Sequence, residues 1–424
     1  MNVVHVNSFD RGGGAAIAVR RISEALIHSG INSKILVQKK SGNERTISEV
    51  SANFFSKISY LARFTYDESY IRLFTKQERG RFSNPFPGID ISNYTLIKDA
   101  DIINLHWING GFLSLNSLYK LKSLRKPIVW TLHDMWTFTG GCHYSLECGK
   151  YLNECTQCPS LLFPGKKDIS NKIFNRKRKL FNDFNPSIVT CSKWLGDEVR
   201  RSSLLKDKKV YVIPNPLNTE PFKPANKNEA REKLGLNKDK YILLIGAMNL
   251  KDKRKGFVYL INALKYIEKN FIEQSKNIEL VTFGKFSKRT TDGLSYKIHE
   301  LGVIKDEKTL IDLYNASDIY VAPSIQDNLP NTVAESIACG TPVVAFRVGG
   351  MPDMIEHMKN GYLAELNSYK DLAIGIITLM NDPGLINEMK TKCREKALKL
   401  FDNNEVANRY LRVYKNLLDT YIKD

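Results

Sequence analysis

The stretch Ala322-Pro323-Ser324-Ile325-Gln326-Asp327-Asn328-Leu329-Pro330-Asn331-Thr332-Val333-Ala334-Glu335-Ser336-Ile337-Ala338-Cys339-Gly340-Thr341-Pro342-Val343-Val344-Ala345 constrains the chain more than any other. It reads as a strand end, a polar loop, a helix, a tight turn and a buried apolar strand. Gly340 closes the helix and Pro342 starts the next strand. Asp327 stands before the helix and Glu335 inside it, eight positions apart. Asn331-Thr332 open the helix, so its first backbone N–H groups point into the loop, where an anion can sit.

The same alternation runs through the rest of the chain. Strands are expected over 3–7, 33–37, 101–106, 127–132, 186–191 and 210–213, then over 241–246, 278–284, 299–301, 319–322 and 342–346, with helices between them. Such alternation implies parallel βαβ units, hence an α/β fold with doubly wound sheets. A length of 424 residues suits two domains at ~100–200 residues each. Between the two blocks, Pro214, Pro216, Pro221 and Pro224 forbid regular structure and mark a linker. The halves echo one another: Asp99-Ala100-Asp101-Ile102-Ile103 and Ala316-Ser317-Asp318-Ile319-Tyr320 each read as a small residue, an aspartate and a strand. That echo accounts for Asp99-x-Asp101, which also matches a short metal-binding Asp-x-Asp pattern. Residues 54–86 break the pattern with nine aromatics set among Lys and Arg. They read as an irregular helical insertion on the first domain, or as an interfacial or acceptor-contacting element.

A net charge of +18 asks for an anionic partner: a nucleic acid, an anionic lipid surface or a phosphorylated substrate. Basic residues thicken from 166 to 209, among them Lys172, Arg176, Lys177, Arg178, Lys179, Arg200 and Arg201. They form either a solvated surface or a patch facing a membrane or a diphosphate. No apolar run approaches the ~20 residues of a membrane helix, and Met1 is not followed by a secretory leader, so a cytoplasmic location is expected.

Three further groups carry chemistry. Lys253-Arg254-Lys255-Gly256-Phe257 follows a strand and opens a helix, which puts cations where open α/β sheets bind ligands. Gly12-Gly13-Gly14 follows the first strand and lets the backbone approach a phosphate. His133 ends the strand over 127–132. Seven cysteines are present; Cys191, Cys339 and Cys393 read as small buried residues. Cys142, Cys148, Cys155 and Cys158 cluster, and only Cys155-x-x-Cys158 has tight ligand spacing. They fit a structural zinc site, with His143 as an alternate ligand, or free thiols; the spacing follows no common iron–sulfur run.

Taken together, Asp327-x7-Glu335 and the cation turn around Lys255 resemble the retaining GT-B glycosyltransferases of family 4, group 1, in their bacterial polysaccharide biosynthesis subgroup. The match is strongest over 246–361. The family usually has Glu at both acid positions, and an arginine soon after the strand glycine; here Ala247-Met248 follow Gly246 and Arg254 takes that place. The resemblance implies two Rossmann-like domains facing across a cleft. Residues 1–214, with a Cys-rich insertion at 140–160, would bind the acceptor, 225–403 the donor, and 404–424 would form a helix crossing back. It implies transfer of a sugar from a nucleotide-sugar, UDP by default, to a glycan or polyprenyl-diphosphate-linked sugar in O-antigen-type polysaccharide assembly, peripherally on the inner face of the plasma membrane. His133, Asp327 and Lys255 would be catalytic. Gly13, Gly14, Arg254, Lys255, Asp327, Asn328, Leu329, Asn331, Thr332 and Glu335 would hold the donor, with Glu335 on the ribose and the Asn328 and Leu329 N–H groups beside the sugar. No cofactor is needed for this chemistry. Two rival readings are a GT-B epimerase acting on a nucleotide sugar and a zinc-containing basic nucleic-acid-binding protein. The basic residues are dispersed and match no recognition module, so no nucleic-acid partner is expected.

Overall fold

Short apolar runs buried on both faces are satisfied only in parallel sheets covered by helices, and that is what the chain builds twice. The computed structural model describes residues 1–50, 54–76, 79–249, 252–285 and 293–421. Two units separate: Met1–Pro216 with the closing helix Asn403–Tyr421, and Leu217–Asp402. Residues 77 and 78 of the aromatic stretch and residues 422–424 of the expected last helix lie outside the described residues.

The first unit holds β1 (Asn2–Phe9), β2 (Asn32–Lys39), β3 (Ile47–Glu49), β4 (Ile102–Leu105), β5 (Ile128–Leu132), β6 (Ser187–Thr190) and β7 (Val210–Val212). They pair in the order β3-β2-β1-β4-β5-β6-β7, parallel throughout. The second holds β8 (Tyr241–Asn249), β9 (Ile278–Lys285), β10 (Lys297–Glu300), β11 (Ile319–Ala322), β12 (Val343–Phe346) and β13 (Gly361–Ala364). Their order is β10-β9-β8-β11-β12-β13, again parallel. Each sheet changes winding direction once, between β1 and β4 and between β8 and β11. The carboxyl ends of those strand pairs are where doubly wound sheets bind ligands.

Sequence and structure differ at the sheet edges. β3 and β13 were not expected, and β10 starts two residues before the expected 299–301. The stretch starting at Phe54 is one continuous helix, Phe54–Phe74, where an irregular helical insertion was expected. The run of basic residues is not one solvated face either: Lys177 is fully buried on the helix Ile169–Asp183.

The aspartates of the internal echo do the same work in both units. The Asn2 N–H donates to the Asp101 carboxylate at 2.7 Å, and the Ile242 N–H donates to Asp318 at 2.7 Å. Each carboxylate satisfies a donor at the start of the central strand beside its own, so Asp99-x-Asp101 is a sheet device. Asp318 is buried and also meets Arg231 at 2.6 Å and Lys227 at 2.7 Å. The Arg231 guanidinium spends its other donors on the carbonyls of Ala316, Asn237, Lys238 and Lys240. The closing helix buries Val406, Ala407, Tyr410, Val413 and Tyr414 against Ile22, Leu26 and Val129. Removing one partner of a buried, fully bonded pair costs about 3–5 kcal/mol. Arg231→Met should therefore lower the unfolding temperature by roughly 6 °C or more, as differential scanning fluorimetry would record. A variant melting with the wild type would refute this account of the second unit's stability.

Candidate active site

In the second unit the chain leaves β8 at Asn249 and turns through a single 3₁₀ turn, Lys253–Lys255. Asp252 caps that turn by accepting from the Arg254 N–H at 3.0 Å. Gly256 follows with φ 67°, and a Cβ there would overlap the Pro323 carbonyl oxygen. Glycine is required for the loop to pass so close to the end of β11. The approach brings the cations onto the 323–330 loop. Lys255 Nζ lies 2.6 Å from Asp327 Oδ2, and Arg254 Nη1 lies 3.2 Å from Oδ1. Arg254 also donates to the Gln326 carbonyl at 2.8 Å and pairs with Asp252 at 3.1 Å.

Asp327 is 5% exposed, and burial by itself would push its carboxyl up. Lys255 and Arg254 outweigh burial and hold it at about 2. It stays ionised at any physiological pH. The Asn328 N–H donates to this same carboxylate at 3.1 Å, where it had been expected beside the sugar. Gly349 and Gly350 press on the loop from behind: Gly350 N–H donates to the Asp327 carbonyl at 3.1 Å, and a Cβ on Gly349 would overlap that oxygen.

The helix Asn331–Ala338 begins directly after this loop, with Pro330 at its N-cap and no capping side chain. Its positive end therefore faces the loop. Glu335 sits one turn inside, buried, and accepts from the Tyr314 hydroxyl at 2.9 Å. Burial and Glu335 keep that phenol protonated far above its usual range. Tyr320 donates to the Gly246 carbonyl at 2.7 Å at the end of the straight part of β8. A cavity lined by Gly246, Lys255, Tyr320, Pro323, Pro330 and Thr332 opens among these groups. The unit thus brings Arg254, Lys255, Asp327, Asn328, Leu329, Asn331, Thr332 and Glu335 to one sheet edge. Tyr314, Tyr320, Gly349 and Gly350 were not anticipated; only the paired glycines after β12 carry a sequence signal. Positive charge, a helix N-terminus and two buried carboxylates suit an anion joined to a polyol.

The first unit is arranged independently. Gly13 precedes the helix Gly14–His28, and nothing lies within 4 Å of the Cβ positions of Gly12, Gly13 or Gly14. His5 within β1 and His106 and His133 just past β4 and β5 form a row, with ring nitrogens 2.9 Å and 3.1 Å apart. Burial holds His133 at about 4, so it is a neutral hydrogen-bonding group. His143 spends both ring nitrogens, on Asp134 at 2.6 Å and Ser83 at 2.9 Å. Arg11 and Arg20 both pair with Glu44.

Known proteins with these features fall together. The family model "Glycosyltransferase Family 4" matches residues 12–221, and "Glycosyl transferases group 1" matches 226–400. The UDP-Gal:alpha-D-GlcNAc-diphosphoundecaprenol alpha-1,3-galactosyltransferase of Escherichia coli is 30% identical over 327 residues, 73% of this chain and 78% of that protein. The protein named for colanic acid biosynthesis as glycosyl transferase WcaC, from Escherichia coli K12, is 26% identical over 357 residues, 81% and 83% of the two chains. Among solved structures, sucrose-phosphate synthase from Thermosynechococcus elongatus superposes with a TM-score of 0.68 at 19% identity, covering 99% of both chains. Anabaena HepE in complex with UDP-glucose gives 0.66 at 15% identity, covering 98% of this chain and 99% of its own. The fold is therefore GT-B, and the chain belongs to the family 4, group 1 glycosyltransferases.

Proposed function

We propose that the protein moves a sugar from a UDP-linked donor to a hydroxyl of a polyprenyl-diphosphate-linked saccharide, with retained anomeric configuration, during surface polysaccharide assembly. The observation that carries this reading is the Asp327 clamp by Lys255 and Arg254 at the mouth of the helix Asn331–Ala338. Lys255 has further donors for a diphosphate, and the helix terminus adds roughly 0.3–2 kcal/mol per negative charge. Together they stabilise a departing nucleoside diphosphate without a metal. Glu335 takes the ribose hydroxyls and Asp327 the hydroxyls of the transferred sugar. The acceptor oxygen bonds to the anomeric carbon on the face the diphosphate leaves, the carbon–phosphate-oxygen bond breaks, and the acceptor proton passes to the departing phosphate. In the first unit, Gly13, Gly14 and His133 offer an open glycine turn and a neutral imidazole for substrate hydroxyls. Support for the acceptor and setting comes from the two Escherichia coli relatives, one named for a diphosphoundecaprenol acceptor and one for colanic acid. Support for the nucleotide comes from the HepE complexes with UDP and UDP-glucose.

A polyprenyl acceptor lies in a membrane, and the helix Phe54–Phe74 suits contact with one. Phe54, Phe55, Ile58 and Leu61 are all more than half exposed on its first turns, with Lys57 exposed among them and Arg72 exposed in the last turn. Aromatic anchors with basic neighbours suit an anionic surface. Among the described residues no helix is long and apolar enough to cross a membrane.

Two outcomes follow. With a UDP-sugar and a short-chain polyprenyl-diphosphate saccharide, NMR of the product should show the donor's anomeric configuration. Glu335→Gln should raise the donor KM by about 10- to 100-fold, since hydrogen bonds to a charged group contribute about 1.5–3 kcal/mol. An inverted product would rule out the mechanism, and an unchanged KM would remove Glu335 from the donor site. Separately, sedimentation with phosphatidylglycerol vesicles should carry down the wild type, and the F54S/F55S double variant should bind at least about tenfold more weakly, as expected for two buried aromatic anchors. Equal binding of both proteins would exclude this helix as the contact.

A further inference from the structure

We infer that Cys142, Cys148, Cys155 and Cys158 form a structural zinc site in the first unit. The inference stands on the surroundings of these thiols and does not rest on the transferase reading. Cys142 leaves the segment after β5, Cys148 follows the turn at 145–148, and Cys155 and Cys158 flank a tight loop. Three chain segments separated by up to sixteen positions thus turn their cysteines toward a single cavity, which all four line together with Thr139, Tyr151 and Ser170. Cys142 lies within electrostatic reach of the other three. None is in a disulfide.

The cavity is furnished for thiolates. Gly140 N–H donates to Cys155 Sγ at 3.2 Å. Outer hydrogen bonds of this kind fix and tune metal-bound sulfur. Asp168 holds the Cys155-x-x-Cys158 loop in shape by accepting from the Cys158 N–H at 2.9 Å. Beneath the cluster, Lys177 is 1% exposed, with its ammonium bonded to the carbonyls of Trp136 and Thr139 and 3.7 Å from the centre of the Trp136 ring. No carboxylate among the described residues forms an ion pair with it. A buried ammonium is costly without an anion nearby, and its electrostatic neighbours are Cys155, Cys142 and the Asp134 carboxylate. Four thiolates around one zinc ion carry net negative charge and would add to that of Asp134.

Among the described residues no three cysteine, histidine or carboxylate side chains already stand as a closed ligand set. Neutral thiols have no drive to converge; a dication that displaces their protons supplies one, drawing each sulfur to about 2.3 Å from the metal. The cysteines lie in loops and turns, Cys142 in a single β-bridge to Phe82, so their side chains can close on the metal without moving a named strand. With four cysteine ligands no position stays open for water or substrate, so the ion is structural. It would pin the segment 139–158, which carries His143 and through it Asp134, next to His133.

The test is the metal content of the full-length protein purified from zinc-supplemented medium, by plasma mass spectrometry. About one zinc per chain is expected. Exchange with cobalt should give the sulfur-to-cobalt charge-transfer and visible bands of a tetrahedral thiolate site. Cys155→Ser with Cys158→Ser should lose the zinc, whereas Cys393→Ala, a buried cysteine of the second unit, should keep it. Wild-type protein without stoichiometric zinc and without cobalt bands overturns the inference, whether its thiols titrate as free or as disulfides. That result stands even if the double variant fails to fold.

Discussion

The second unit is organised around one buried charge. Asp327 is nearly removed from solvent, and a carboxylate there is tolerable only if it is ionically paired and hydrogen-bonded. Lys255 and Arg254 supply the pairing, Asn328 N–H and Ser324 Oγ supply hydrogen bonds, and Gly256, Gly349 and Gly350 allow the backbones to come close enough. The clamp also fixes where Lys255 stands before any ligand arrives. A long side chain otherwise loses rotamer freedom on binding, so this cost falls on folding. Arg254, shared among Asp252, Gln326 and Asp327, is the more tightly held of the two cations. It acts on Asp327, while Lys255 retains donors for a ligand.

The same geometry explains why both units converge on one arrangement. In each, an aspartate ahead of a central strand caps the neighbouring central strand, locking the pair between which winding reverses. The carboxyl ends of those strands then carry the candidate groups: Gly246, Lys255 and Asp327 in one unit, and His106 in the other, with His133 past the adjoining β5. The second unit strengthens its aspartate with Arg231 and Lys227. The first leaves Asp101 to the strand alone and adds the closing helix, whose Tyr414 hydroxyl accepts from Asn104 at 2.7 Å.

The central strands and the acid pair were legible because they follow local rules: continuous apolar runs, a glycine at the helix end, carboxylates at fixed spacing. The edge strands were not. β3 has three residues and only Ile47 buried, too short for a period to register. Tyr314 was missed because it reads as a core aromatic in the helix Glu307–Ala316; only the fold brings it to Glu335, 21 positions on. Lys177 was misread by composition, although Ile173, Phe174, Leu180 and Phe181 place it on the buried stripe of its helix. His143 reads as an alternate ligand by proximity in sequence; its bonds to Asp134 and Ser83 come only from the fold.

The central claim is that the Asp327 clamp is the diphosphate site of the donor. Calorimetric titration of UDP, GDP and ADP into the wild type and into Lys255→Ala tests it most directly. The account predicts that the wild type binds one nucleoside diphosphate, UDP, and that Lys255→Ala binds it about 10- to 100-fold more weakly, as expected for loss of a charge-assisted contact. A folded Lys255→Ala protein that binds UDP as tightly as the wild type would contradict it.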